Sequence, residues 1–203
     1  MKAGKRLLSV MLGFMMAGTL LGCQEKVITV ADIQTESEYQ VTYVEMKEIE
    51  LKEVVEDDGK EVIAHCAVLI PYGYHESKEV PGMYVHERAP MESSNIFYSV
   101  ASGEEGNVSG TLTKEQYKES IEAAYEAAGT PVELEITSFE ETDMDGIPAY
   151  KIRSSYKSGE NTILQLTYMI LAKDTHTITY SQSKDDEMMA DFEVAEGEIR
   201  LVK

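Results

Sequence analysis

The spacing of apolar residues changes once along this chain, and that change narrows the folds open to it. Thr113-Lys114-Glu115-Gln116 is a capping box, with Thr113 as N-cap and Gln116 at the third helical position. Tyr117, Ile121, Ala124, Tyr125 and Ala128 then keep one apolar face at helical spacing, and Gly129 with Pro131 ends the helix. From residue 132 the period is two. Val132, Leu134 and Ile136 alternate with Glu and Thr, and Tyr150 and Ile152 alternate with Lys151 and Arg153. Met144-Asp145-Gly146, Ser158-Gly159 and Lys173-Asp174 supply turns between the runs, while residues 163–171 are apolar on both faces, as a central strand is. Four strands joined by short turns form an antiparallel meander.

Upstream, residues 41–55 and 61–70 flank Asp57-Asp58-Gly59-Lys60, a hairpin signal, and Pro71 stops the second run. Residues 83–87 and 95–101 are further strand candidates, and 103–110 read as a loop. Ser183-Lys184-Asp185-Asp186 can cap a last helix with Met188, Phe192, Ala195 and Ile199 on one side, weakened by Gly197. The expected fold class is α+β: an antiparallel sheet of about six or seven strands with a central helix and a C-terminal helix.

The first residues carry Lys2, Lys5 and Arg6 and no acid, followed by an apolar run of about 15 residues from 7 to 21. A spanning helix needs about 20 residues, so this is the pattern of a secretory signal peptide. Leu20-Leu21-Gly22-Cys23 resembles the bacterial lipobox. The resemblance implies cleavage before Cys23, a diacylglyceryl group on its sulfur and an amide-linked acyl chain such as palmitate. An ordinary cleaved leader and a short membrane anchor are the competing readings; charge, run length, small residue and cysteine together favour lipidation. One acyl chain holds a protein only marginally, and two or three hold it durably. The expected organisation is signal peptide 1–22, tether 23–39 and one domain 40–203, fixed by lipid on the extracytoplasmic side of a membrane.

Composition sharpens this. Of 18 basic and 37 acidic residues, the leader holds three basic ones and no acid, so the rest carries 15 against 37, a net −22. Such a body does not bind nucleic acid, whose phosphates need Lys and Arg, and anionic lipid repels it. With Cys23 lipidated, Cys66 has no disulfide partner, and its apolar surroundings from Val62 to Ile70 mark it as a small buried hydrophobe.

Motifs for chemistry are sparse. Gly106 to Gly110 has one residue too many before its Ser for a nucleophile elbow. Ser154-Ser155-Tyr156-Lys157 lies on an alternating strand without its usual companion motifs. His65, His75, His86 and His176 share no metal spacing, and no cofactor motif is present. An enzyme would need a cleft bringing His65, His75 or His86 near an acid or hydroxyl. The stretch from Glu140 to Gly146 places oxygen ligands at alternate positions before a Gly, which makes Asp143 and Asp145 candidates for a divalent cation; the competing reading is a turn. Tyr72, Tyr74 and Tyr84 flank residues 75–81 and either present a binding surface or cover a sheet edge.

Three stretches carry a family resemblance: AVLIPYGY (67–74), MDGIPAYKIRSSY (144–156) and FEVAEGEIRLV (192–202). They resemble the PsbP/Mog1-like group, which includes many small bacterial lipoproteins, over residues 62–203. Members often have Trp where this chain has Tyr72 and Tyr74. The resemblance implies a binding or assembly-assisting module with no catalytic residue to carry over. The expected function is therefore a lipid-anchored, non-catalytic binding or envelope-assembly module attached to the membrane, with an envelope protein as partner. A small-molecule or cation-binding lipoprotein is the alternative.

Overall fold

The structure is a computed structural model describing residues 27–33, 41–57, 60–89, 93–101, 112–183 and 187–202. Cys23, the leader, most of the 23–39 segment, the 103–110 loop, the Asp58-Gly59 pair and residues 184–186 lie outside the described residues.

Among the described residues the strands form two antiparallel sheets. The larger contains β4 (Tyr74–Glu76), β5 (Met83–His86), β6 (Asn95–Ala101), β7 (Glu135–Met144), β8 (Ile147–Ser158), β9 (Asn161–Leu171) and β10 (Thr175–Ser183), in the order β4-β5-β6-β10-β9-β8-β7. The smaller runs β1 (Val27–Ile33), β2 (Val41–Asp57), β3 (Lys60–Pro71), β11 (Arg200–Val202). Helix α1 (Lys114–Ala127) lies in sequence between β6 and β7, and α2 (Glu187–Val194) follows β10. The α1 crossover takes the chain from mid-sheet to the β7 edge, and the meander β7 to β10 returns it strand by strand to pair with β6. The α+β class, the antiparallel sheet and the two helices are as expected.

The four-stranded second sheet is a departure. Runs 41–55 and 61–70 were expected within one sheet; they form a separate layer, paired from Met46↔Pro71 to Asp57↔Lys60. The physical reason lies in their apolar sides. Leu51, Cys66, Val68 and Ile70 are fully buried and need a facing layer, which the larger sheet supplies with Ile96, Tyr98, Val100, Leu166, Tyr168, Ile170, Ile178 and Tyr180. β1 adds to β2 within the segment read as a tether, and β11 adds to β3.

The larger sheet is covered on both faces. Tyr150, Ile152, Ile136 and Leu134 form a second cluster with Tyr117 of α1. Lys151 and Arg153, which alternate with Tyr150 and Ile152, lie on the side facing the smaller sheet and hold the α2 end of the chain. Lys151 and Arg153 both pair with Glu193, Lys151 Nζ is also 2.7 Å from Glu196 Oε2, and the Tyr168 hydroxyl donates to that same Oε2 at 2.7 Å. The last helix is shorter than its apolar spacing suggested. It ends at Val194 and gives way to a single tight turn over Glu196–Glu198, around Gly197, although Phe192, Ala195 and Ile199 are all buried.

The capping box is formed in full. Thr113 Oγ1 accepts from the Gln116 amide at 3.2 Å, and Gln116 Oε1 accepts from the Thr113 amide at 2.9 Å. Thr113→Ala is expected to destabilise the full chain by about 1 kcal/mol in urea unfolding; an unchanged midpoint would show that tertiary contacts alone hold α1.

The three family-like stretches all fall at joints. Residues 67–74 carry β3 into β4, residues 144–156 form the β7–β8 turn and β8, and residues 192–202 link α2 to β11.

Candidate functional site

The residues expected to carry chemistry are scattered. Asp143 is the penultimate residue of β7 and pairs with Pro148 of β8; Glu140, Glu141 and Thr142 are ladder residues before it. Alternation along the strand sends these side chains to opposite faces. Asp143 Oδ1 accepts from the Gly146 amide at 3.2 Å, and Asp145 and Gly146 have φ of 53° and 75°. Both central residues are left-handed, as the tightest two-residue hairpin requires. Among the described residues no three or more His, Cys, Asp or Glu side chains gather as a metal ion needs.

The histidines serve different neighbours. His65 Nδ1 lies 3.5 Å from Glu50 Oε2 on the outer side of the smaller sheet, and His75 is exposed. His86 is buried edge-on against Tyr74, at 5.2 Å between ring centroids, and its Nδ1 accepts from the Arg88 amide at 3.2 Å. The tyrosines around residues 75–81 divide likewise. Tyr74 is buried with its hydroxyl 2.6 Å from Ser94 Oγ, half-buried Tyr84 donates to the Glu50 carbonyl at 3.2 Å, and Tyr72 is exposed. Tyr74 therefore packs in the core and Tyr84 reaches across to β2.

The structure brings titratable groups together at a corner between the sheets, which sequence reasoning missed. It is built from β6 outward. β5 pairs with β6 at Met83↔Phe97, Tyr84↔Ile96 and Val85↔Asn95, and Gly82 extends that edge by accepting from the Tyr98 amide at 2.8 Å. The next amide on that edge, Val100, donates across the layers to the Glu53 carboxylate of β2. Glu53 is in phase with Leu51 on the core-facing side of β2, opposite Ala64 of β3. Its Oε2 is shielded from solvent and has no hydrogen-bond partner among the described residues. The signal was present in the sequence: Ile49, Leu51, Glu53 and Val55 share one parity, so a carboxylate sits where an apolar residue was due.

Beside Glu53, buried Tyr98 places its hydroxyl 2.7 Å from Nδ1 of buried His176 on β10. Burial holds the Tyr98 phenol well above its usual range, with the fields of Cys66, Glu53 and Asp174 adding to the effect. Burial lowers the His176 pKa while Asp174 opposes it. A neutral imidazole protonated on Nε2 accepts the phenol proton at Nδ1. Cys66 is fully buried, as expected, and burial pushes its thiol up to about 12 against the pull of Arg200. Burial also lifts Glu53 to about 7, against the Val100 amide.

A second feature is the face of the larger sheet shared with α1. Thr177 and Thr179 of β10 stand opposite Ser99 and Phe97 of β6 and Met169 and Thr167 of β9. Thr167 and Thr179 hydroxyls lie 3.2 Å apart, and Gln165 Nε2 donates to Ser181 Oγ at 3.2 Å. This strip is uncharged and rich in hydroxyls; Ser99, Phe97, Thr177 and Thr179 are half-buried, whereas Ser181 is buried and Thr167 is buried against Tyr117 of α1.

No protein-family model matches the chain, and no curated protein matches it. Among solved structures it is similar in shape to cyanobacterial PsbP (CyanoP) from Synechocystis, at 15% identity and a TM-score of 0.49, covering 76% of this chain and 94% of that one. It is also similar to LpqN, described as involved in cell envelope biogenesis of Mycobacterium tuberculosis, at 15% identity and a TM-score of 0.43, covering 77% and 92%. The fold itself is that of an α+β two-sheet sandwich. No helix among the described residues is long and apolar enough to cross a membrane.

Proposed function

We propose that this chain is a lipid-tethered, extracytoplasmic module of the PsbP/Mog1-like kind, which binds or helps assemble a protein of the cell envelope and catalyses no reaction. One observation carries the non-catalytic part. Three of the groups able to do chemistry are engaged in packing: Tyr98 on His176, Tyr74 on Ser94, and Cys66 in the core. The uncharged Ser/Thr strip of β6, β10 and β9 is the surface we assign to the partner, because an otherwise strongly acidic body offers neutral hydrogen bonding there. The tether rests on the Leu20-Leu21-Gly22-Cys23 pattern.

Two variants test this in cells. Cys23→Ser is expected to release the protein from the membrane fraction, and mass spectrometry of the natural protein is expected to find Cys23 acylated; a bare Cys23 would overturn the tether. Cross-linking on membranes with the wild-type chain should capture a discrete envelope protein that the folded Thr177→Arg/Thr179→Arg double variant fails to capture. Equal capture by both would remove the strip from the reading. Capture of nothing, together with tight uptake of a metabolite or metal ion, would replace the reading by a ligand-binding one.

A further inference from the structure

We propose that the Glu53 carboxyl is a proton-operated latch across the corner where β5 stops, closing the two sheets on one another when protonated and loosening them when ionised. The geometry supports this in three ways. Glu53 points inward from β2 among core residues, beside Leu51 and across from Ala64. It is the acceptor for the Val100 amide, which lies on the β6 edge beyond the last β5 pair. Its Oε2 is shielded and has no partner among the described residues. The titratable groups facing this corner are Tyr98 from β6, His176 from β10, Cys66 from β3 and Asp174 from the β9–β10 turn. Arg200 of β11 acts on Cys66, and no described cation acts on Glu53 itself. Among the described residues an ionised carboxylate would therefore be buried with the Val100 amide as its one compensation, and such a charge costs far more than the neutral acid.

Burial raises Glu53 from 4.5 to about 7. A folded-state pKa above the unfolded value means the folded chain holds the proton more tightly. The stabilisation is full below the unfolded value and is lost as pH rises towards 7. His176 acts in the opposite sense: its folded pKa lies below 6.5, so its contribution is present above that value and is lost as pH falls. The two slopes overlap, and a Glu53 variant separates them.

The test is urea unfolding of the full chain and of Glu53→Gln at pH 5 and pH 8. Gln retains an acceptor for the Val100 amide and cannot ionise. Between the two pH values the wild-type folding equilibrium is expected to fall by about tenfold or more relative to the variant, one pKa unit being a factor of ten and partial exposure of Glu53 reducing the full effect. Hydrogen exchange at the Val100 amide should speed up at pH 8 beyond its intrinsic rate in wild type and not in the variant. Parallel pH dependences in the two proteins would overturn the latch. So would a Glu53 carboxyl that titrates near 4.5 by carbon NMR in the wild-type chain, a measurement that decides the matter even if the variant fails to fold.

Discussion

Phe192→Ala is expected to destabilise the protein by about 3–5 kcal/mol, the range for truncating a buried aromatic. Phe192 is buried and stacks on Tyr180 with ring centroids 4.0 Å apart and planes 15° apart, and Tyr74 meets it at 5.9 Å and 62°. It is the apolar anchor of α2, with Met189 and Ile199 in the same cluster. The ion pairs of Glu193 with Lys151 and Arg153 hold the same helix, but Glu193 and Arg153 are each 34% exposed. Pairs that open to water contribute about 1 kcal/mol or less. Urea unfolding of Phe192→Ala beside Glu193→Gln therefore decides between packing and charge as the fastening of α2. A larger loss in the Glu193 variant would reverse the assignment.

Gly82→Ala is expected to cost more than 2 kcal/mol, roughly the left-handed penalty for an L-residue plus a steric collision. Gly82 has φ of +73°, and a Cβ added there would lie 2.5 Å from the Tyr98 carbonyl oxygen. That oxygen belongs to backbone, so a rotamer change cannot relieve the contact; β5 or β6 must move. Gly146 is the internal control. It has φ of +75° with open space around its added Cβ, so Gly146→Ala carries the backbone penalty alone. The difference between the two denaturation midpoints reads the collision. The same shift should disturb the Tyr98–His176 hydrogen bond, visible as a changed His176 titration by NMR. Equal losses for the two variants would show that β5 yields without cost.

The parts of the fold written in local chemistry were legible in the sequence. The capping box at Thr113, the Asp145-Gly146 turn and the alternation through β7 to β10 each depend on residues within a few positions of one another. β4 and β11 are three residues each and have no period to read; pairing with β5 and β3 defines them. The division into two sheets was hidden for a related reason. Alternation tells which side of a strand is apolar and not which layer receives it. The role of Lys151 and Arg153 was hidden because their acidic partners, Glu193 and Glu196, come from far along the chain. Glu53 was passed over because one acid in an acidic stretch carries no flag, although its parity with Leu51 already placed it inward.

β11 imposes an order on how the molecule is made. Residues 200–202 pair with residues 65–67, so the smaller sheet cannot be completed until nearly all of the intervening chain is in place. Contacts this distant in sequence form slowly, since the closure entropy of a long loop precedes their reward. In that interval β3 presents an unpaired flank of amides and carbonyls, the kind of template on which two immature copies can join edge to edge.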